Sequence, residues 1–555
     1  MGTPHHEEGG WKASMRARKR NWIVAIGLVA MLMAAGLAIA ASVLAARIEP
    51  YARQAAMRYL SQRFDSDVQL QALHIRLPEM SLLRLVLARG RGTSARIQGQ
   101  GLSMRLKGRP DSVPLFVIQK FRCDVNLESL LHPPTVVSQV FVDGMEIQVP
   151  PRSERPRPPS SADMEPDSQQ NASNPAVVIR KVHIQHAGLV LQPRNPQRFP
   201  LRFDIQSLQL ESGEAGAPMK YDASLTNAKP PGKVHATGTF GPWRASEPGD
   251  TPITGGYLFE NADLGVFAGI AGTLRSSGRF EGKLSAITVR GEASVPDFHL
   301  RMTGSPVPLL ARFAVLVDGT NGNTILQPVA ATLGSTSFTT SGGIIRHEAN
   351  QPRAISLDVA MPNGNLRDVL RLAMKGSPFM EGTLVLHAKI DIPPLTSKVR
   401  EKLKLNGRFE VLEGKFLHST IQNEIDSLSK RARGQPQNPD RDQVVSRMMG
   451  VFHLENAAIR FHKLSFGIPG ADIDLAGDYN LDSDTLDFGG TLKLQATVSQ
   501  MVTGWKKVVL KPVDRLFEKE GAGTFLRIRV DGTSKAPKFG VNLAGRQLEA
   551  PLPKR

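Results

Sequence analysis

The chain has 555 residues, a formal net charge of +18 and a pI near 10.0, and 41% of its residues are hydrophobic. The length exceeds what one ordinary domain needs, and the single cysteine excludes an intramolecular disulfide. Because the positive charge is spread thinly and no DNA- or RNA-binding motif accompanies it, the sequence favours an anionic membrane surface over nucleic acid as a partner.

An uncharged apolar segment comes first in the chain. Residues 22–46 form 25 consecutive positions without a charge, enough to cross a hydrocarbon core of about 30 Å. Three basic residues abut its N-terminal side, and long exported domains largely escape the positive-inside rule. We predict a cytoplasmic tail at 1–20, a transmembrane helix at 21–46 and the bulk of the chain outside the cytoplasm, with a cleaved signal as the alternative. Trp22 is a membrane-interface candidate.

A short amphipathic helix is predicted after this segment. Residues 50–64 carry apolar side chains at Ala52, Ala56, Tyr59 and Leu60, which fall on one helical face. The arginines of this helix could contact lipid headgroups, or the helix could pack on the first sheet, and the sequence leaves both open.

Short strands follow from Val68, and we assign residues 47–150 to one module of helix and strands. Cys123 lies on one of these predicted strands and is expected to be a core residue. Residues 151–175 contain no Phe, Trp, Tyr, Ile, Leu or Val. Such a composition cannot bury a core, so 151–176 is predicted to be a disordered linker or insertion.

The strand pattern resumes after this linker and persists almost to the end of the chain. We assign residues 177–545 to a repetitive β-groove and 546–555 to a tail. Within the groove region, the first lipid-groove candidates are Phe313, Val315 and Val317, which share one face of a strand that leads into the turn signal DGTNGN.

Three helical segments interrupt the predicted strands. Asn365 can cap LRDVLRLAMK, which Gly376 closes, and Ser419 or Thr420 can open IQNEIDSLSKRAR. The third segment, residues 499–519, mixes apolar and basic residues, which suits either a membrane-interface contact or a helix that closes one end of the sheet. Its membrane-interface candidates are Trp505, Lys506, Lys507 and Lys511.

Residues 471–498, ADIDLAGDYNLDSDTLDFGGTLKLQATV, suggest either a calcium loop or a β-hairpin. Oxygen-bearing side chains alternate from Asp478 as in an EF-hand, but Ser483 and Gly489 occupy the positions that require Gly and Glu. Alternation with period two favours a hairpin with one apolar and one polar face. The lipid-groove candidates on its apolar face are Ile473, Leu475, Tyr479, Leu486, Phe488, Leu492 and Leu494.

Enzyme motifs are weak throughout the sequence. No phosphate-binding loop and no nucleophile elbow is present. His183 and His186 invite a metal interpretation, but residues three apart on a strand point to opposite faces. The other histidines have no cysteine or carboxylate at ligand spacing. We therefore expect no catalytic activity, no metal and no cofactor.

The amount of predicted strand limits the architecture. Roughly 370 residues of short strands exceed one sandwich, and an open sheet of that size should curl or split. Since few long helices are available to cover the apolar face, that face either meets a second sheet or lines a trough that lipid chains fill. We predict a mostly β fold: one transmembrane helix, then an elongated, curled, antiparallel β-sheet groove with a few short helices.

Several stretches resemble the AsmA-like family of bacterial envelope proteins. They are the N-terminal span with YLSQRFDSDVQLQALHIRLPEMSLL, the central ADLGVFAGIAGTLRSSGRFEGKLSAITVRGEASVPDFHL and RFAVLVDGTNGNTILQPVAATL, and the C-terminal segment that begins LSFGIPGADIDLAGDYN and ends at SKAPKFG. The resemblance covers most of the chain but not the linker.

The resemblance implies a single-pass anchor in the inner membrane and a periplasmic, groove-shaped β structure without catalytic residues. It implies that phospholipid acyl chains occupy the groove, that lipids move towards the outer membrane, and that outer-membrane or envelope proteins are further partners. The competing hypothesis is an envelope scaffold or chaperone-like protein that regulates protein targeting to, or assembly in, the outer membrane. Its apolar faces would pair into a dry core.

Overall fold

The computed structural model describes the chain in ranges separated by gaps. The described residues are 53–61 except 55 and 59, 66–76, 94–108, 113–126, 135–149, 177–192, 200–212, 217–242, 244, 247–302, 305–346, 353–394, 402–437, 443–501, 523–533, 536–543 and 546–550. The predicted transmembrane helix at 21–46, the linker at 151–176 and most of the predicted helix at 499–519 lie outside these ranges. So do the membrane-interface candidates Trp22, Trp505, Lys506, Lys507 and Lys511. Within these ranges, no helix is both long enough and apolar enough to span a membrane.

The described chain is mostly β, as predicted. The strands are β1 Ser66–Arg76, β2 Ser94–Leu106, β3 Phe116–Asn126, β4 Thr135–Val149, β5 Val177–Leu191, β6 Leu201–Glu211, β7 Met219–Ala228, β8 Pro231–Phe240, β9 Pro252–Asp263, β10 Ile270–Ala271, β11 Thr273–Lys283, β12 Ala286–Val295, β13 His299–Leu300, β14 Leu309–Val317, β15 Thr324–Leu333, β16 Thr336–Ile345, β17 Ala354–Asn365, β18 Met380–Ile392, β19 Lys404–Phe416, β20 Ser446–Glu455, β21 Ala458–Ile468, β22 Ala471–Asn480, β23 Thr485–Leu494, β24 Thr524–Thr533, β25 Ala536–Leu543 and β26 Arg546–Ala550.

In the described ranges, few helices interrupt these strands. The helices are α1 Leu366–Ala373 and α2 Ser419–Ala432, with 3-10 turns at Pro248–Asp250, Leu264–Val266 and Val498–Met501. The described positions within 53–61 are also helical.

Hydrogen bonding joins 24 of the strands into one sheet, while β10 and β13 form a separate pair. From β1 to β9 and from β15 to β26, each strand pairs with the next one in the chain. These pairings are antiparallel except β4 with β5, which is parallel. The prediction of an antiparallel sheet is therefore wrong for this pairing, and the sheet is mixed. Parallel neighbours require a longer connection than a hairpin turn, and 27 residues, 150–176, separate β4 from β5 in the chain.

The chain packs as two compact units. The first comprises residues 1–263, 275–290 and 317–322, and the second comprises 264–274, 291–316 and 323–555.

In the first unit, the core lies between the helical residues at 53–61 and strands β1–β5. Ala56 and Leu60 are buried against side chains of these strands, including Ile118. Arg53 Nη1 donates a hydrogen bond to the carbonyl oxygen of Gln71, at 2.8 Å. Of the two interpretations of this helix, packing on the first sheet is thus the one that the structure supports. Cys123 lies in the same core, as expected, and burial raises the pKa of its thiol to about 12.

In the second unit, both described helices begin near the predicted positions. Asn365 caps α1, since its side chain accepts a hydrogen bond from the backbone N–H of Arg367 at 3.0 Å. Helix α2 begins at Ser419 and has His418 as its N-cap residue, without a side-chain capping bond. Both helices carry a basic residue in the last turn, which suits the helix dipole.

The helices of the second unit lie at one end of its strands. Because neighbouring strands are antiparallel, β17, β19 and β23 run in the same direction. Helix α1 follows β17, α2 follows β19, and the 3-10 turn Val498–Met501 follows β23. We call this end of the strands the helical rim. The opposite end, the turn rim, carries the short connections β20–β21 and β22–β23.

Candidate functional site: an apolar strip

The register of the β22–β23 hairpin assigns its two faces. Residues directly opposite each other on antiparallel strands project from the same face of the sheet. Ile473 faces Leu492 and Tyr479 faces Leu486, whereas Asp472 faces Lys493. The predicted hairpin, with one apolar and one polar face, is confirmed.

The apolar face of this hairpin continues across the second unit. Following the pairings from β17 to β24 keeps the apolar residues of each strand on the same face. We call this face the apolar strip, and its main residues are Val359, Leu386, Ile390, Leu405, Phe409, Phe452, Phe461, Leu464, Ile473, Leu475, Tyr479, Leu486, Phe488, Leu492, Ile528 and Val530.

A row of four phenyl rings runs across the strip, perpendicular to the strands. The ring centroids of Phe409 and Phe452 are 6.3 Å apart, those of Phe452 and Phe461 6.4 Å, and those of Phe461 and Phe488 5.9 Å. These spacings fall in the range of favourable aromatic pairs. Strand β22 lies between the last two rings and contributes Gly477 there. We call this row the aromatic ladder.

Glycines opposite the phenylalanines allow the rings to lie close to the backbone. A Cβ atom added to Gly407 would lie 2.7 Å from Cζ of Phe452, and one added to Gly450 would lie 2.5 Å from Cε1 of Phe409. Each ring therefore occupies space over a glycine on the neighbouring strand, and both of these pairs are direct register partners. The ladder thus depends on glycine as much as on phenylalanine.

The described helices cover the part of the strip near the helical rim. Leu384 and Val411 are buried in a cluster that includes residues of α1, and Leu494 is buried with Ala432 of α2. Further from that rim, most side chains of the strip remain half-buried; Phe488, 6% exposed, and Leu454 near the turn rim, 5% exposed, are exceptions. A half-buried apolar surface thus runs beside a buried one.

The structure brings together the seven hairpin candidates. Ile473, Leu475, Tyr479, Leu486 and Leu492 are half-buried on the strip, whereas Phe488 and Leu494 are buried. The hydroxyl of Tyr479 donates to Oδ1 of Asp484, at 2.8 Å, which holds the ring near the hairpin turn.

The other three candidates lie elsewhere in the sheet. Phe313, Val315 and Val317 are half-buried at alternate positions of β14. Their face is opposite that of Arg312, whose Nε lies 2.9 Å from Oε1 of Glu292. Strand β14 is separated from the hairpin by β15 to β21, so these residues and the hairpin form no common cluster.

Residues that suggested metal sites have other contacts. Asp478 pairs with Arg460 at 2.8 Å, and the side-chain oxygen of Asn480 accepts hydrogen bonds from the backbone N–H groups of Asp482 and Ser483. These contacts stabilise the polar face and the turn of the hairpin. Across the ranges that the structure describes, no three His, Cys, Asp or Glu side chains are arranged to hold a metal ion.

The two histidines of β5 also have separate partners. His183 stacks on Phe141 with ring centroids 5.0 Å apart, and Nδ1 of His186 lies 2.8 Å from Oδ1 of Asp143. They do not form one site.

A smaller version of the glycine–aromatic arrangement exists in the first unit. Tyr221 is opposite Gly238, which in turn is opposite Gly255, and an added Cβ at Gly255 would clash with the Tyr221 hydroxyl. Burial raises the pKa of Tyr221 to about 12. The aromatic side chain again lies across glycines of neighbouring strands.

Sequence reasoning missed three members of the aromatic ladder: Phe409, Phe452 and Phe461. A local signal for two of them exists, because Gly407 precedes Phe409 by two residues and Gly450 precedes Phe452 by two. On adjacent antiparallel strands, this Gly-x-Phe spacing places each ring opposite the other strand's glycine.

Comparison with known proteins does not identify the chain. No protein-family model matches it, and no characterised protein matches its sequence. The fold and the strip define a large mixed β-sheet protein with a half-buried apolar face, and that face is the feature that bears on function.

Proposed function

We propose that the chain is an AsmA-like envelope protein that binds phospholipids by their acyl chains and conducts them towards the outer membrane. In this proposal residues 21–46 anchor it in the inner membrane, the remaining chain is periplasmic, and the sheet curls into an elongated groove. The activity is non-enzymatic and supports outer-membrane assembly.

The observation that carries the proposal is the half-buried apolar strip with its aromatic ladder. Each buried methylene group gains about 0.8 kcal/mol on leaving water, so an acyl chain laid on the strip would be held by contact area alone. Such binding requires no single polar anchor and allows a chain to move from one ring to the next. Aromatic rings spaced 5.9–6.4 Å apart offer repeated, similar contacts across β19–β23.

The positions of the helices suggest the side from which lipid enters. Helices α1 and α2 pack on the strip near the helical rim, so acyl chains approach from the turn rim. The sequence resemblance to AsmA-like proteins supports the same role, and the family's inner-membrane anchor agrees with the uncharged segment near the N-terminus.

Site-specific photocrosslinking tests the proposal. The full chain is expressed in bacteria labelled with radioactive phosphate, with a photoreactive phenylalanine analogue at Phe461 on the strip. The matched control carries the analogue at Arg460, the preceding residue, whose side chain is on the polar face and pairs with Asp478. We expect a phospholipid adduct at position 461 and none at position 460.

The same experiment addresses the scaffold hypothesis. If the strip were a dry surface between protein layers, irradiation would attach protein or nothing at position 461. A protein adduct in place of lipid would favour an envelope scaffold that assists protein targeting or assembly, and equal lipid labelling at both positions would reject a specific lipid surface.

A further inference from the structure

The polar face of the second unit has a hollow of its own. It spans β16–β20 with a volume of about 680 Å³. Thr339 and Ser341 line one side, Arg408 lines the other, and His387 and Lys389 lie between them. These residues alternate along their strands with those of the apolar strip, so the hollow lies on the opposite face of the sheet from the proposed lipid surface.

Three nitrogen-bearing side chains converge in this hollow. His387 is directly opposite Arg408, and Lys389 is directly opposite Asn406, two residues from Arg408. Side chains directly opposite each other have Cβ atoms about 5 Å apart, and diagonal neighbours about 7–8 Å apart. All three side chains are exposed and can therefore reach one small anion between them.

Three other cations of the same face have carboxylate partners. Arg460 pairs with Asp478, Lys404 with Glu455 and Arg447 with Glu410.

Within the described ranges, Arg408, Lys389 and His387 make no hydrogen bond or ion pair through their side chains. Asp358, the carboxylate of the hollow, is directly opposite Lys389 but forms no ion pair with it. Lys389 and Arg408 are like charges on diagonal positions of neighbouring strands, and a bound anion would relieve their repulsion.

We propose that this hollow binds a polyol phosphate, either as a free small molecule or as the headgroup of a phospholipid. The Arg408 guanidinium donates two N–H groups to phosphate oxygens, a geometry for which its planar fork is suited. His387 and Lys389 donate from the adjoining strand, and the hydroxyls of Thr339 and Ser341 bond the polyol. The volume falls in the usual range of small-molecule sites, roughly 300–1,000 Å³.

A phosphorus NMR titration of the detergent-solubilised full chain tests the site. The two probes are glycerol 3-phosphate, a monoester, and glycerophosphoglycerol, the diester of a deacylated headgroup. We expect saturable line broadening for at least one probe, about tenfold weaker binding in Arg408→Gln, and weaker binding at high ionic strength. The matched control is Arg460→Gln, an exposed arginine of the same face outside the hollow, which should bind like the unaltered chain.

The comparison of probes identifies the source of the phosphate. Tighter binding of the diester assigns the site to lipid headgroups, and tighter binding of the monoester assigns it to a soluble metabolite. Binding of neither probe overturns the proposal, as does an equal loss in Arg408→Gln and Arg460→Gln. If circular dichroism shows that Arg408→Gln is misfolded, Lys389→Gln replaces it with the same expectations. Because the hollow and the apolar strip lie on opposite faces, failure here leaves the lipid crosslinking result unaffected.

Discussion

Truncating Phe488 should loosen one part of the second unit and leave the first unit intact. The side chain is 6% exposed, and its ring centroid lies 5.9 Å from that of Phe461. Its direct register partners are Gly477 on β22 and Val530 on β24. Because Gly477 has no side chain that could move into the vacated space, Phe488→Ala leaves a cavity.

The size of the effect follows from burial. Replacing a core Phe by Ala lowers the free energy of unfolding by roughly 3–5 kcal/mol. Because the neighbouring Phe461 is only half-buried, we expect a loss at the low end for Phe488→Ala, about 3 kcal/mol. That energy corresponds to a rise of about a hundredfold in the local opening equilibrium. The matched change is Leu475→Ala, on the same strip but half-buried, for which we expect about 1–2 kcal/mol.

Hydrogen exchange measured by mass spectrometry on the full chain provides the assay. In a sheet whose strands pair mainly with their neighbours in the chain, destabilisation should remain local. We expect faster amide exchange in β22–β24, unchanged exchange in β1–β4 and a preserved strand signal in circular dichroism. Faster exchange in β1–β4, or equal effects of Phe488→Ala and Leu475→Ala, would show that the strip is part of one continuous packed core.

Three further predictions follow from individual side chains. Gly450→Ala should lower the free energy of unfolding by about 1–2 kcal/mol, because the new Cβ must displace the Phe409 ring. Gly489→Ala is the control and should be neutral, since a Cβ there meets nothing within 4 Å. Equal denaturation midpoints of the two variants would contradict this prediction. Cys123, with its thiol pKa raised to about 12 by burial, should resist iodoacetamide at pH 8 until the chain is denatured, as intact mass would show. Gln422 is only 2% exposed, and Gln422→Ala removes its side-chain hydrogen bonds. The change should lower the free energy of unfolding by about 2–3 kcal/mol and speed proteolysis around α2. An unchanged cleavage rate would contradict this prediction.

Faces of single strands could be predicted from the sequence because they depend on neighbouring residues alone. In the β22–β23 hairpin, alternation assigned Ile473 and Leu475 to one face and Asp472 to the other, and the register agrees. The capping of α1 by Asn365 was equally local, since the cap contacts a backbone group two residues away. The two-residue period of a strand and the capping of a helix both involve residues close together in the chain, so both features can be predicted from the sequence.

Pairing across long stretches of chain was not predictable in the same way. Strands β4 and β5 are separated by residues 150–176, whose composition indicates only that they bury no core. Nothing in either strand distinguishes a parallel partner from an antiparallel one, because both arrangements preserve alternation. The parallel pairing therefore corrected the predicted fold.

The aromatic ladder lies between these two cases. Each Gly-x-Phe unit is visible in one strand, but its meaning depends on the adjacent strand's register, which places Phe452 opposite Gly407 and Phe409 opposite Gly450. A shift of one residue would move every ring to the polar face. The ladder thus results from a local pattern and a specific pairing together.

Alternation alone also cannot distinguish a covered apolar face from an open one. That difference is decided by the connections: α1 and α2 bury Leu384 and Leu494, whereas Phe452 and Phe461, further from the helical rim, remain half-buried on the same face. Apolar area left in water forgoes about 25 cal/mol for each Å², so a strip of this length is costly to keep exposed. Substituting polar residues at these positions would remove that cost without disturbing the hydrogen bonds between the strands. The presence of phenylalanine there, laid over glycine, therefore supports the proposal that an apolar ligand covers the strip.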